Sequence, residues 1–316
     1  MSDWRPNASL NTLQARAELY GSVRAFFSAR GVLEVETPLL SAHATVDRYI
    51  DSFQTTTGRW LQTSPEFAMK RLLAAGSGPI WQLCKVFRSE EQGRHHNPEF
   101  SMLEWYRPGW DHRQLMDEVE ALLRAGSVAC DEPFERLSYR AAFLLHAGLD
   151  PFRASLKALR EELKKYRVEV PQRLTADERE NRDFWLNLWM AMVVGPKLGT
   201  PAPCFLFDFP ASQAALARVN GEVAERFELF WQGIELANGF HELTDPAEQE
   251  NRFQADQRWR KAQRKLVPPY DRNLIAALVA GLPECAGVAL GLDRLLMLKL
   301  GLPDLASTLS FAADRA

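Results

Sequence analysis

The sequence predicts an α+β fold, a mainly antiparallel sheet flanked by helices. Three observations carry this expectation. Apolar runs of strand length follow one another through a hairpin or through long insertions, which favours antiparallel pairing. Stripes of helical period, with their own start and stop residues, lie between those runs. No internal repeat, low-complexity tract or long linker interrupts the 316 residues, so a single domain spanning 1–316 is expected.

A first helix is predicted from the recurrence of Leu10, Leu13, Ala17, Tyr20, Val23 and Phe27, with Gly31 as its stop. Residues 32–37 read as a strand closed by Pro38. Ser64-Pro65-Glu66 places a cap, a first-turn proline and a first-turn acid ahead of a helix running to about Ala75, with Gly76 just beyond. The apolar runs 79–88 and 99–107 read as an antiparallel hairpin whose arms are joined by a long charged loop, 89–98. Residues 111–125 form an amphipathic helix, and the charge-rich middle, 135–200, is helical, most clearly over 156–166 and 175–194. Strands return at 204–209 and 226–234. Asp245, with Glu248 at capping-box spacing, starts a polar helix reaching about Lys265. The remainder reads as helix (272–280), strand (286–290) and helix (293–300).

Composition excludes several classes of function. Hydrophobic residues make up 46% and charged residues 25%, average values for a globular chain, so neither a disordered protein nor a polytopic membrane protein fits. The charges nearly cancel, Lys+Arg 38 against Asp+Glu 41 for a net −3, without the basic excess that gripping a nucleic-acid backbone calls for. Cys84, Cys130, Cys204 and Cys285 are far apart, with no Cys-x-x-Cys pair, so free thiols in a reducing compartment are expected. The first residues contain no apolar signal-peptide core, and the apolar stretches 188–194 and 274–280 are too short to cross a bilayer. A cytoplasmic location follows as an expectation.

Three constellations could carry chemistry. Arg88 and Glu90 stand two residues apart on one hairpin arm, a spacing that gives one strand face, with Phe100 and Glu104 on the other arm. An arginine beside an acid suits a phosphate joined to a base, or equally a surface ion pair. Glu228, Glu235 and Glu242 repeat every seven residues, an odd spacing that changes strand face unless a turn or bulge intervenes, and Gly233 and Gly239 are placed to supply one. Brought together, such acids call for Mg²⁺ with polyphosphate or an ammonium substrate; left apart, they are solvated glutamates. The third runs from Gly287 through Ala289 and Gly291 to Arg294, a small-residue strand entering a helix. It allows a flat ligand close to the backbone under a stacking guanidinium, or simply tight packing. No P-loop or dinucleotide-binding glycine pattern is present. Arg258, Arg260, Lys261, Arg264 and Lys265 make a basic helix end, read as a solvated face or a docking surface for an acidic partner.

In this order the constellations are specific. The stretch 26–38, from Phe26-Phe27 through Arg30-Gly31 to Thr37-Pro38, resembles motif 1 of class II aminoacyl-tRNA synthetases. Phe87-Arg88-Ser89-Glu90 through Phe100 resembles motif 2, and Gly287 through Arg294 resembles motif 3. The run Glu235-Leu236-Ala237-Asn238-Gly239-Phe240-His241-Glu242 is similar to the substrate segment of lysyl-tRNA synthetases. The resemblance covers essentially the whole chain and implies the class II catalytic fold and a homodimer joined through the motif 1 segment. The chain starts at the helix preceding motif 1, and no anticodon-binding domain is expected. Together with Thr63-Ser64-Pro65-Glu66 and the blocks 96–108 and 287–291, this is most similar to free-standing lysyl-tRNA synthetase paralogues that modify a protein.

The resemblance implies an ATP-dependent ligase that activates (R)-β-lysine or lysine as an aminoacyl-adenylate and passes it to a lysine of elongation factor P, with tRNA an improbable substrate. Arg88, Glu235 and Arg294 would be catalytic. ATP would meet Arg88, Ser89, Glu90, His96, Asn97, Phe100, Glu235, Leu236, Gly291 and Arg294, with Phe100 and Arg294 on opposite faces of the adenine. Glu228 and Glu235 would hold Mg²⁺. Ser64, Pro65, Glu66, Tyr106, Asn238, Phe240, Glu242 and Ala289 would line the amino-acid pocket, Glu66 and Glu242 taking the two ammonium groups. Ala289 replaces the glycine usual in lysyl-tRNA synthetases and is expected to shift preference towards a β-amino acid. A truncated synthetase that charges tRNA and a non-catalytic regulatory module are the alternatives.

Overall fold

Helix α1 (Leu10–Ser28) opens where the Ser9 hydroxyl accepts the amide of Thr12, and the chain leaves it through Gly31 at φ 63°. The computed structural model describes residues 4–89, 91–126, 132–170 and 174–316. The buried stripe of α1 is Thr12, Leu19, Val23, Phe26 and Phe27, so the predicted stripe is only partly right: Leu10 and Ala17 face solvent. Strands β1 (Leu33–Glu34), β2 (Leu40–Ser41) and β3 (Trp60–Leu61) precede helix α2 (Glu66–Ala74). Strands β4 (Ile80–Phe87) and β5 (Glu99–Pro108) lead to helix α3 (His112–Gly126). The middle contains β6 (Glu135–Ser138), α4 (Tyr139–Ala147), α5 (Leu156–Leu163), α6 (Ala176–Glu180) and α7 (Arg182–Trp189). After these come β7 (Cys204–Pro210), β8 (Val219–Asn220), β9 (Val223–Trp231) and β10 (Ile234–His241). The chain closes with α8 (Pro246–Ala262), α9 (Arg272–Gly281), β11 (Cys285–Gly291) and α10 (Leu292–Lys299).

Contacts divide the chain into two compact units, Met1–Ala129 with His241–Ala316, and Cys130–Phe240. In the first, β4 and β5 form the predicted hairpin, in register from Ile80↔Tyr106 to Phe87↔Glu99. Strand β11 pairs antiparallel to the other edge of β5, and β1 lies parallel to β4. The predicted strand 32–37 is therefore reduced to Leu33–Glu34, followed by one further bond from the Val35 amide to the Trp81 carbonyl. The core centres on Phe27, whose ring stacks on Trp81 at 5.1 Å and meets Trp105 at 5.4 Å.

In the second unit, β7, β8 and β10 each pair antiparallel with β9, and β6 runs parallel to β7. Tyr139, Phe143, Leu159, Trp185 and Trp189, from three helices, share a core with Leu206 and Phe230 of the strands. Two expectations are corrected here. The single strand 226–234 is the middle of a hairpin, because Gln232 (φ 51°) and Gly233 (φ 74°) turn the chain between β9 and β10. The helix 175–194 is broken at Asn181, whose side chain caps α7 by accepting from Asp183 and Phe184, and it ends in a π-turn, Met190–Val194.

The basic end of α8 also departs from the solvated face expected of it. Arg260 is 2% exposed, and its guanidinium bonds to the Asp51 carboxylate and to the carbonyls of Asp47 and Leu266. Lys265 bonds to the other Asp51 oxygen at 2.7 Å. Arg258, Lys261 and Arg264 remain exposed. Cys84, Cys204 and Cys285 are free thiols, and Cys130 lies outside the described residues. No helix among the described residues is long and apolar enough to cross a membrane.

Candidate active site

The first cluster is built at the start of α2. Ser64 accepts the Glu66 amide at 2.9 Å and donates to Glu104 on β5 at 2.8 Å, so the turn that starts the helix, with Pro65 in it, also orients a buried acid. The Tyr106 hydroxyl donates to the other Glu104 oxygen at 2.6 Å. One turn into α2, the Lys70 ammonium lies 2.6 Å from Glu66 and 2.6 Å from Glu242. Strand β11 floors this cluster: Gly287 pairs opposite Tyr106, and Ala289 opposite Glu104. Gly287 is required by space, since a Cβ there would overlap the Tyr106 ring and stand 2.5 Å from a Glu242 oxygen.

Two buried carboxylates, the partly exposed Glu66 and one buried ammonium are thus brought together. Burial pushes the Glu104 carboxyl up to about 8, and the Glu66 charge adds to the rise. Burial also raises Glu242, but there the Lys70 ammonium opposes it at hydrogen-bonding distance. Against its own burial, Lys70 is held above the ordinary lysine value by Glu242 and Glu66. Burial and the Glu104 charge push the Tyr106 hydroxyl well above its ordinary value, so it remains a donor. The two hydroxyls that donate to Glu104 oppose its rise without cancelling it. Sequence reasoning found Ser64, Glu66, Tyr106 and Glu242, gave Glu104 no role and missed Lys70. The signal for Lys70 was its position four residues after Glu66 in a helix starting at that acid.

The second cluster surrounds the loop between β4 and β5. Arg88 lies one residue past β4, its amide bonded to the Pro98 carbonyl at 2.9 Å. The expected shared strand face for Arg88 and Glu90 is not what holds Arg88, because the strand has already ended; Glu90 itself lies outside the described residues. The Arg88 guanidinium pairs with Glu91 at 3.1 Å and lies 5.1 Å from the Phe100 ring centre. Its buried Nε has no hydrogen-bond partner among the described residues. Ser89 donates its amide and its hydroxyl to the Asp51 carbonyl at 2.9 and 3.2 Å.

Farther along the loop, Arg294 donates to the His96 ring at 2.6 Å and to the His95 carbonyl at 3.2 Å. Burial and the Arg294 charge lower the His96 value, which suits a neutral ring accepting that bond. Asn97 donates to the Glu99 carbonyl and accepts the Ala313 amide, so its side chain is committed to holding the loop. Gly291 ends β11 at the start of α10, paired with Met102.

The third cluster lies on the β9–β10 hairpin of the second unit. Asn238 pairs opposite Glu228 and Glu235 opposite Phe230, and the register shift between Glu235 and Ala237 brings Glu228, Glu235 and Asn238 to one face. Leu236, within that bulge, is buried. Gly233 supplies the turn anticipated from the seven-residue spacing, whereas Gly239 sits in regular register opposite Phe227. Arg226 binds Glu228 at 2.6 Å and Asn238 at 3.1 Å and lies over the Phe240 ring. Burial and the neighbouring Glu235 charge push Glu228 up to about 8. Burial and Glu235 there outweigh the opposing Arg226 charge, and two carboxylates crowded in this way suit a hard divalent cation.

These clusters offer an acid-lined pocket fit for ammonium groups, a guanidinium with an unfilled donor beside an aromatic ring, and a carboxylate pair fit for Mg²⁺. A model of the tRNA synthetases class II (D, K and N) matches residues 1–315. A Salmonella typhi protein named elongation factor P–(R)-β-lysine ligase is 50% identical over 99% of this chain and 98% of its own length. Proteins of the same name from Salmonella gallinarum and Salmonella paratyphi B match equally, with the same identity and coverage. The fold, the three clusters and a full-length match agree: the chain belongs to the class II aminoacyl-tRNA synthetase family.

Proposed function

We propose that this chain is an ATP-dependent ligase that activates (R)-β-lysine, or lysine, and transfers it to a lysine side chain of elongation factor P. The observation that carries the reading is the acid set of buried Glu104 and Glu242 with partly exposed Glu66, which can receive the two ammonium groups of such a substrate. The name of the relatives supplies the acceptor and the preferred isomer.

The chemistry needs no nucleophile from the enzyme. The substrate carboxylate oxygen attacks the α-phosphorus of ATP, and pyrophosphate leaves with the electrons of the broken P–O bond. Arg88 would stabilise the charge growing on the α-phosphate, while Phe100 and Arg294 would bracket the base and His96 would lie towards the terminal phosphates. Glu228 and Glu235 would hold Mg²⁺, which when bound neutralises polyphosphate charge. The acceptor's amine then attacks the activated carbonyl carbon, AMP departs and the amine loses its proton. Holding the reactants in line can account for most of the acceleration.

Assembly as a homodimer through α1 and β1, and a cytoplasmic location, complete the reading. The likeness of residues 26–38 to motif 1 supports the first. ATP–pyrophosphate exchange tests the activation half. Exchange is expected with (R)-β-lysine and, more weakly, with α-lysine; absence of exchange with either overturns the reading.

A further inference from the structure

The basic end of α8 turns inward, and its buried cation connects to the loop that carries Arg88. Arg260 donates from Nη1 to the carbonyls of Asp47 (2.6 Å) and Ile50 (3.3 Å), from Nε to that of Leu266 (2.7 Å), and from Nη2 to the Asp51 carboxylate. Lys265 closes on the second Asp51 oxygen at 2.7 Å. Residues 47–51 are thereby fixed by two cations, through the Asp51 carboxylate and the carbonyls of Asp47 and Ile50. The Asp51 carbonyl in turn accepts both the amide and the hydroxyl of Ser89, the residue next to Arg88.

The geometry points to Arg260 as a positioning residue for adenylate formation: through Asp51 and Ser89 it sets where the Arg88 guanidinium stands. This rests on the proposed role of Arg88 at the α-phosphate. Three features support it. The guanidinium is almost wholly buried, and its planar fork serves several acceptors at once, which a lysine ammonium cannot match. Among the described residues the Arg88 side chain has one ion-pair partner, Glu91, and its Nε has none, so its placement depends strongly on the backbone at Ser89. Both Ser89 donors converge on a single carbonyl, so a displacement of Asp51 is passed directly to position 89. A misplacement of about 1 Å in such a group costs on the order of a hundredfold in rate.

The test is ATP–pyrophosphate exchange by Arg260→Lys, Arg260→Met, Ser89→Ala and the Arg260→Lys/Ser89→Ala double variant, varying ATP and the amino acid separately. The expected result is a loss of about tenfold or more in kcat/KM for ATP in Arg260→Lys, with KM for the amino acid within about twofold of wild type. The double variant should lose little more than the worse single variant, because both act through Asp51. If Arg260→Met does not fold, the lysine and serine variants still decide. Unchanged ATP kinetics in folded variants, parallel changes in both KM values, or losses that multiply in the double variant would each overturn the inference. Wild-type exchange is the control: its absence defeats the ligase reading, whereas exchange insensitive to Arg260 defeats only the positioning role.

Discussion

Lys70 Nζ lies 2.6 Å from a Glu242 carboxylate oxygen, and both side chains are 1% exposed. The same ammonium is 2.6 Å from Glu66, so a single cation ties two acids from distant parts of the chain. Removing it leaves carboxylates buried without a partner, at a cost of about 3–5 kcal/mol. Lys70→Met should lose stability of that order in urea unfolding. Adding Glu242→Gln should recover part of the loss, because the uncompensated charge is then removed as well.

Glu104 makes the pocket pH-sensitive. Its carboxyl is pushed from an ordinary 4.5 to about 8, chiefly by burial. Between those values the folded chain keeps a proton that the unfolded chain has lost, so this group's stability contribution is full below about 4.5 and is lost as pH rises to about 8. The slope is at most about 1.4 kcal/mol per pH unit. Glu104→Gln should flatten that part of the stability curve. An ammonium substrate favours the ionised form, so the amino-acid KM should fall as pH rises through about 8 in the wild type and lose that dependence in the variant.

Gly287 is the floor of the same pocket. A methyl group there meets the Tyr106 ring and Glu242, and overpacking of this kind costs about 1–3 kcal/mol. Gly287→Ala should unfold at lower temperature and show a raised KM for the amino acid with less change in KM for ATP. Equal effects on both substrates would place the damage elsewhere.

On the β9–β10 hairpin, Glu228 carries a proton at neutral pH because burial and Glu235 push it up to about 8. A divalent cation must displace that proton. The Mg²⁺ concentration giving half-maximal pyrophosphate exchange should therefore fall as the pH rises towards about 8. In Glu228→Gln that pH dependence should disappear and the requirement for Mg²⁺ should rise.

Much of this was legible where local chemistry decides structure. The capping signature Ser64-Pro65-Glu66 located α2, and Asp245 with Glu248 located α8. The two apolar arms located the β4–β5 hairpin. The parity of the seven-residue glutamate spacing required a turn or bulge, and β9–β10 contains both. What escaped was decided by tertiary contact. Lys70 and Arg260 are cations on helices, a pattern that ordinarily marks a wet face, and their burial depends on acids remote in sequence: Glu242 for one, Asp51 for the other. The turn at Gln232 was obscured because a glutamine at positive φ gives no compositional signal. Strand β6, Glu135–Ser138, is polar and short, and only its parallel pairing with β7 makes it a strand.

The central claim is that the activated amino acid is delivered to a protein. The most direct measurement is the intact mass of elongation factor P after incubation with this chain, ATP, Mg²⁺ and either (R)-β-lysine or α-lysine, with tRNA present as a competing acceptor. Elongation factor P should gain one lysyl group, more extensively with (R)-β-lysine, while the tRNA stays uncharged. Unmodified elongation factor P beside lysyl-tRNA would contradict it.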